Sequence, residues 1–201
     1  METLTPKAER TRQLIIEKSA HLFNLKGYAG TSIQDVMAAT GLTKGGIYGH
    51  FESKEEIAVA AFEFASQHII RLLSDKIAGH TSATAKLKAL MAFYKTYLFT
   101  PPISGGCPIL NTSVEADDTN PQLRAAVVKV LNKMHKAVSN IVKQGIEQQE
   151  FKGTAEAGQF AVLFVSMIEG GIMVSKAYGD AKHLNIVLQH LEQYIERELK
   201  L

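Results

Sequence analysis

The sequence contains no tryptophan, a single cysteine and only five prolines, and its charges nearly cancel: 22 Lys and Arg stand against 20 Asp and Glu in 201 residues, a formal net charge of +2. Each scarcity excludes something. One cysteine, Cys107, cannot form an internal disulfide, so nothing staples the fold and a reducing compartment suits it. A balance this close to neutral excludes a general coat of positive charge, so any contact with nucleic acid has to rest on a local patch. The longest uncharged stretch, residues 96–114, carries Pro101, Pro102 and Pro108 with Gly105 and Gly106, and cannot run as one membrane-spanning helix. The uncharged segment 157–168 is too short to span and reads as a buried helix. The N-terminal METLTPKAERTRQ lacks the apolar core of a signal peptide. The expectation is a soluble, cytoplasmic protein with no membrane partner.

Catalytic signatures are missing as well. There is no Walker loop, GxGxxG, HExxH or G-x-S-x-G, and no pair of CxxC motifs. No cofactor and no metal is therefore expected, and an enzyme is the weaker class of reading. Glu115, Asp117 and Asp118 read as a solvated helix end rather than as metal ligands, and His183 and His190 lie too far apart for an i, i+4 ligand pair.

What is present is helical periodicity. Apolar residues recur at i, i+3, i+4 and i+7 in Ile16-Ala20-Phe23, in Ile33-Val36-Met37 and in Leu184-Val187-Leu188-Leu191-Ile195, and no hairpin signal appears. The chain is predicted to be all-α, with about nine helices. The first runs from about Ala8 to Leu25 and stops at Gly27; Thr31-Ser32-Ile33-Gln34 has the form of a capping box opening the second, which ends near Thr40. Thr43 caps a third over 44–50, and Ser53-Lys54-Glu55-Glu56 opens a long fourth. Further helices are predicted over 85–99, 107–118, 121–149, 154–178 and from Asp180 onward, with Asn120-Pro121 as a cap and first-turn proline. Short glycine-punctuated helices give way to long apolar-faced ones near Glu56, which places a first domain at 1–56 and a second at 57–201.

Two short helices joined by a glycine-containing turn make a helix-turn-helix, here at about 32–51. Ile33, Val36 and Met37 face the interior from the second helix, Leu42 plugs the turn, and Ile47 and Phe51 continue that face from the third. The opposite face, with Lys44, Gly45, Gly46, Tyr48 and His50, is left to enter a major groove. Phe23, Gly27-Tyr28, Thr31-Ser32, then G-L-T-K-G-x-I-Y-x-H-F-x-S-K-E from Gly41 to Glu55, occur in order at fixed spacing. Over about Arg10 to Phe62 this string resembles the N-terminal domain of the TetR family of transcriptional repressors.

The resemblance implies a repressor that, as a homodimer, binds a palindromic double-stranded DNA operator. Thr31 and Ser32 at one helix N-terminus, and Thr43 and Lys44 at the next, suit phosphate oxygens; Tyr48, His50 and Lys54 match backbone-contacting positions of the family, and Gly45 and Gly46 lie between them. Arg10 and Arg12 are read as an arm before the first helix. Gly46 and Gly49 depart from the family's usual residues, and three glycines within 45–49 cost the recognition helix about 1 kcal/mol each. Either the backbone approaches DNA closely there, or DNA orders a loose helix. Residues 1–56 hold seven basic and seven acidic residues, so a DNA-facing patch needs segregation of the signs.

In the second domain the expected dimer face is Phe160, Leu163, Phe164, Met167 and Ile168 with Gly170 and Gly171, and Leu184, Leu188, Leu191 and Ile195 beside it; the competing reading is that these faces only close the core. A small apolar or amphipathic inducer is implied by the resemblance, with Phe62, Tyr94, Tyr97, Cys107, Met134, His135 and Phe164 as candidate pocket residues, and its binding would favour a DNA-incompetent state. Two further readings stay open: Cys107, predicted to begin a helix, as a redox or electrophile sensor rather than a buried small hydrophobe, and the whole chain as a helical protein-binding adaptor.

Overall fold

The structure, a computed structural model, describes residues 5–201. Among the described residues there are nine α-helices: α1 Pro6–Gly30, α2 Ile33–Thr40, α3 Lys44–Tyr48, α4 Lys54–Ala78, α5 Ala83–Tyr97, α6 Pro108–Ala116, α7 Pro121–Glu147, α8 Ala157–Tyr178 and α9 Lys182–Tyr194. The last runs into one π-helical turn, Ile195–Leu199. Strand geometry is limited, among these residues, to an isolated bridge between Phe151 and Lys200.

The helix starts are chemically explicit. Thr5, Ser32, Thr43 and Ser82 each accept a backbone N–H from the first turn of their helix, and the Asn120 amide oxygen accepts from Leu123 N before Pro121 opens α7. One cap differs from expectation. The box at α2 is built on Ser32 and Asp35, one residue later than Thr31 and Gln34. The reason is charge: the Asp35 carboxylate accepts from both Ser32 N and Ser32 Oγ, at 2.8 and 2.6 Å, better than a neutral amide would. Thr31 turns inward instead, donating to Gly27 O at 2.7 Å.

The expected stop at Gly27 is a kink rather than an end. Gly27 takes φ 77°, ψ 171°, and one further turn carries α1 to Gly30. At the far end of the chain, Gly179 closes α8 in the left-handed conformation, as its position after the periodic run predicts.

Contacts gather the chain into two compact units that do not follow a division at residue 56. One comprises the N-terminal stretch through His68 with Ile103–Val128; the other comprises Ile69–Pro102 with Lys129–Leu201. In the first, Ile15, Ile16, Val36, Ile47, Phe51 and Ile57 form the core, with Leu22, Phe23, Ile33, Met37 and Leu42 packed around it. Every residue assigned to the inner face of the helix-turn-helix is in that set. In the second unit α8 and α9 pack closely: a methyl group added at Gly171 would stand 3.1 Å from the Leu184 side chain. Glu196 there is drawn down to about 2 by hydrogen bonds from Lys200 and Lys88.

Two helices, α4 and α8, are long and apolar enough to cross a membrane. The uncharged run at 157–168 is thus half of a longer helix than its length suggested, but half of the most apolar window of α8 is buried within the fold.

In the first unit, α6 and the loop before it lie against α1. Asn24 Nδ2 donates to Ser104 O and Gly106 O at 2.8 and 2.9 Å, and Asn111 Nδ2 donates to Asn24 O, Asn24 Oδ1 and Gly105 O at 3.0–3.1 Å. Gly105 has φ 100°, and a Cβ there would collide with the Asn24 carbonyl. Gly105→Ala is therefore expected to destabilise the protein by about 2 kcal/mol or more, read from urea unfolding midpoints. A second expectation concerns acid. Hydrogen bonds from Lys26 and then Ser32 hold Asp35 well below the ordinary aspartate value of 3.8. Because the folded-state value is depressed, its contribution is present above that ordinary value and is lost as pH falls below it. Thermal melts between neutral pH and about pH 3 should show Asp35→Asn to be less stable at neutrality and less acid-sensitive than the parent.

Candidate nucleic-acid interface

A five-residue helix has too few internal hydrogen bonds to persist alone, so α3 depends on what anchors it. Ile47 is fully buried and Phe51 nearly so. They fix the helix by its inner face and leave Thr43, Lys44, Gly45 and Tyr48 exposed on the other. Gly46 and His50 are half-buried at its edge. Thr43 Oγ1 accepts from Gly46 N at 3.1 Å, which fixes the first turn. The Lys44 ammonium lies 5.9 Å from the Tyr48 ring centroid, so both long side chains of this face share one patch of surface.

The glycines of α3 are not demanded by the chain itself. None of Gly45, Gly46 and Gly49 has positive φ. A Cβ at Gly45 would meet nothing within 4 Å, and at Gly46 it would make only ordinary contacts. At Gly49, the C-terminal cap, a Cβ would come within 3.3 Å of the Gly45 carbonyl oxygen, so crowding within the chain favours glycine there; at Gly45 and Gly46 a missing side chain leaves the backbone open to close approach by a partner.

Flanking residues separate into two kinds. Ser32 is exposed at the N-terminus of α2, whereas Thr31 is 1 % exposed with its hydroxyl committed inward, so Thr31 does not reach the surface that the sequence assigned it to. Lys54, in the first turn of α4, is seated rather than free: its ammonium donates to Tyr28 O at 2.7 Å and lies 4.2 Å from the Tyr28 ring centroid. Burial, and then the Glu55 charge, push the Tyr28 hydroxyl upward, which keeps it a phenol. Arg10 and Arg12 belong to α1, not to an arm before it; the Arg12 guanidinium lies 4.7 Å over Phe51 and 3.8 Å from Glu56.

Two of the acids of residues 1–56 are committed to structural contacts. Asp35 caps α2 and pairs with Lys26 at 2.6 Å. Glu56 accepts from Glu52 N at 2.7 Å beside Arg12. Two of the acids are thus spent on backbone amides and structural cations, and Lys44 stands exposed with no ion pair among the described residues.

The second unit holds an apolar cavity of about 80 Å³. Its wall comes from Leu73 and Ile77 of α4, Leu90 and Tyr94 of α5, Met134 and Val138 of α7, and Phe164, Ile168 and the 9 %-exposed Glu169 of α8. Of the pocket residues named from sequence, Tyr94, Met134 and Phe164 meet here. Tyr97 is buried outside the lining and His135 is half-buried outside it. Phe62 lines a separate cavity of about 30 Å³ in the first unit. Cys107, also in the first unit, begins α6 as expected but is 2 % exposed, which shields its sulfur from solvent oxidants. Glu169 was missed because a lone acid in an apolar run gives no periodic signal.

The expected dimer face needs the same sorting. Phe160, Phe164, Leu184, Leu188 and Leu191 are each at most 8 % exposed within their own unit, and Gly171 serves the packing of α8 on α9. These side chains are buried within the chain and help to close its core. Met167 and Gly170 are half-exposed and lie on the outer stripe of α8 with Leu163 and Met173, at 47 % and 50 %. A Cβ at Gly170 would touch nothing within 4 Å.

With this geometry in place, likeness to known proteins is informative. Residues 15–61 match the family described as bacterial regulatory proteins, tetR family, and residues 83–191 match the tetracyclin repressor-like C-terminal domain. A TetR transcriptional regulator from Chloroflexus aurantiacus superposes with a TM-score of 0.93 at 40% identity, covering 98% of this chain and 100% of the other. A TetR-family regulator from Cytophaga hutchinsonii gives 0.91 at 35%, covering 100% and 99%. The HTH-type transcriptional repressor DhaR of Mycobacterium sp. strain GP1 is 25% identical over 82% of each chain. Helix-turn-helix, all-helical second unit and matched domains agree: the chain belongs to the TetR family of transcriptional regulators, which are DNA-binding proteins and not enzymes.

Proposed function

We propose that this regulator is a cytoplasmic repressor that binds a palindromic duplex operator as a homodimer and releases it when a small apolar or amphipathic molecule occupies the cavity among α4, α5, α7 and α8. The observation that carries the DNA face is the exposed strip Thr43-Lys44-Gly45 with Tyr48, edged by half-buried Gly46 and anchored from behind by Ile47 and Phe51. Ser32, His50 and Lys54 flank it. Lys54 has three N–H donors and gives one to Tyr28, so two remain for phosphate. Repression rather than activation is supported by likeness to DhaR, a transcriptional repressor.

Pairing follows from reach. One short recognition helix reads too few base pairs to be selective, and a two-fold pair presents two, one helical turn of DNA apart. The outer stripe of α8, with Leu163, Met167, Gly170 and Met173, is the surface that fits a second copy: it is apolar, and Gly170 admits close approach of a facing helix. In the cavity, the mostly apolar wall selects apolar bulk, while Ser74, Lys133 and Glu169 supply polar points. Ligand release then requires only that the occupied protein favour a state with lower DNA affinity.

Capture of genomic fragments by the purified protein, followed by footprinting, should yield one inverted-repeat sequence protected by a dimer; protection of no particular sequence refutes the proposal. Lys44→Ala with Lys54→Ala should weaken duplex binding at least tenfold, while circular dichroism and the dimer mass stay unchanged. Val165→Phe, which puts a ring into the cavity wall, should leave operator affinity near the parent value but abolish release by any molecule found to induce it.

A further inference from the structure

Glu115 lies on α6, outside the helix-turn-helix, yet its carboxylate grips the corner between α1 and α2. Gly27 takes the chain out of the right-handed helical region, so the next two amides follow a break in the helix. Both donate to Glu115: Tyr28 N to Oε2 at 2.6 Å and Ala29 N to Oε1 at 2.8 Å. The fit is mutual, since a Cβ at Gly27 would stand 2.7 Å from Oε2, in the space the carboxylate fills. One turn earlier on α6, Asn111 is bonded to Asn24, so the helix that presents Glu115 is itself fixed to α1.

The residue so held is the seat of Lys54. Tyr28 offers its carbonyl oxygen and its ring face to the Lys54 ammonium, at 2.7 and 4.2 Å, and its ring also stacks on Phe23 with centroids 6.2 Å apart. A chain of two contacts therefore runs from α6 to the start of α4: Glu115 fixes the Tyr28 backbone, and Tyr28 fixes the Lys54 ammonium.

We propose that Glu115 is a positioning residue for DNA binding, acting through the Tyr28 backbone to hold the Lys54 ammonium where it meets a phosphate. The inference rests on the phosphate-contacting role of Lys54 proposed above. A charge fixed at a phosphate contributes close to one unit to the salt dependence of binding, whereas an ammonium left to wander contributes less.

The test measures affinity for a mixed-sequence duplex of about three helical turns by fluorescence anisotropy at several salt concentrations. Glu115→Gln keeps the shape and one oxygen acceptor, Glu115→Ala removes both, and Lys54→Ala is the reference. Both Glu115 variants should weaken binding severalfold and lower the slope of log K against log salt towards that of Lys54→Ala, and Glu115→Ala combined with Lys54→Ala should be no weaker than Lys54→Ala alone. A Glu115→Gln protein with the parent slope, beside a Lys54→Ala protein that has lost one unit, overturns the inference while leaving the role of Lys54 intact. A Lys54→Ala protein with the parent slope overturns both. If Glu115→Ala fails to fold, as circular dichroism would report, Glu115→Gln alone decides.

Discussion

The structure of the DNA-binding unit turns on the burial of Ile47 and Phe51 between α1, α2 and the start of α4. A helix as short as α3 has no stability of its own, and its two glycines, with a third at its C-terminal cap, make it weaker still. Its existence and its orientation are both consequences of two apolar side chains inserted among Ile15, Ile16, Val36 and Ile57. Full burial of two such side chains is worth roughly 3–6 kcal/mol, comparable to the cost of the glycines, so the anchoring can sustain a helix that local propensity disfavours. Everything exposed on α3 inherits its direction from that core.

A second constraint is where negative charge is allowed to go. In a segment with as many acids as bases, a positive surface arises only if acids are drawn elsewhere. Asp35, Glu56 and Glu115 each accept backbone N–H groups, at the starts of α2 and α4 and at the kink of α1. A carboxylate used in this way stabilises a helix terminus through the amide dipoles, and part of its field is cancelled locally. The caps that shape the helices thus also commit acids that would otherwise offset the exposed Lys44.

Legibility from sequence followed distance along the chain. The helix-turn-helix was readable because its signals are local: caps, a turn glycine and an inner face repeating within twenty residues. The choice of Thr31 for Ser32 as the α2 cap was one between adjacent hydroxyls, which the reach of Asp35 decides. The dimer and pocket residues were harder for a physical reason. Helix α8 is apolar on several faces, so periodicity marks Phe160, Phe164 and Met167 alike without saying which face meets α9 and which meets water. Pocket lining depends on the meeting of four helices spread over about a hundred residues, and Phe62 and Tyr94, equally aromatic, fall in different units. Glu115 and Tyr28 stand 87 positions apart, and nothing in either neighbourhood announces the other.

The composition of α3 bears on how such a protein selects a sequence. Lys44 and Tyr48 are the long side chains on its outer face, and Gly45, Gly46 and Gly49 present no atoms beyond Cα. Two side chains furnish few of the bidentate contacts by which base edges are told apart, while bare backbone admits closer approach to the groove wall. Selectivity built on such a face shifts from base-edge hydrogen bonds towards groove width, deformability and the spacing between two copies. That shift places a premium on exact geometry at the backbone contacts, because a phosphate-binding group displaced by an ångström changes which DNA shapes fit. A corner held by Gly27, Tyr28 and Glu115 is stiffer than a loop of the same length, and stiffness at that point is what a shape-reading interface requires.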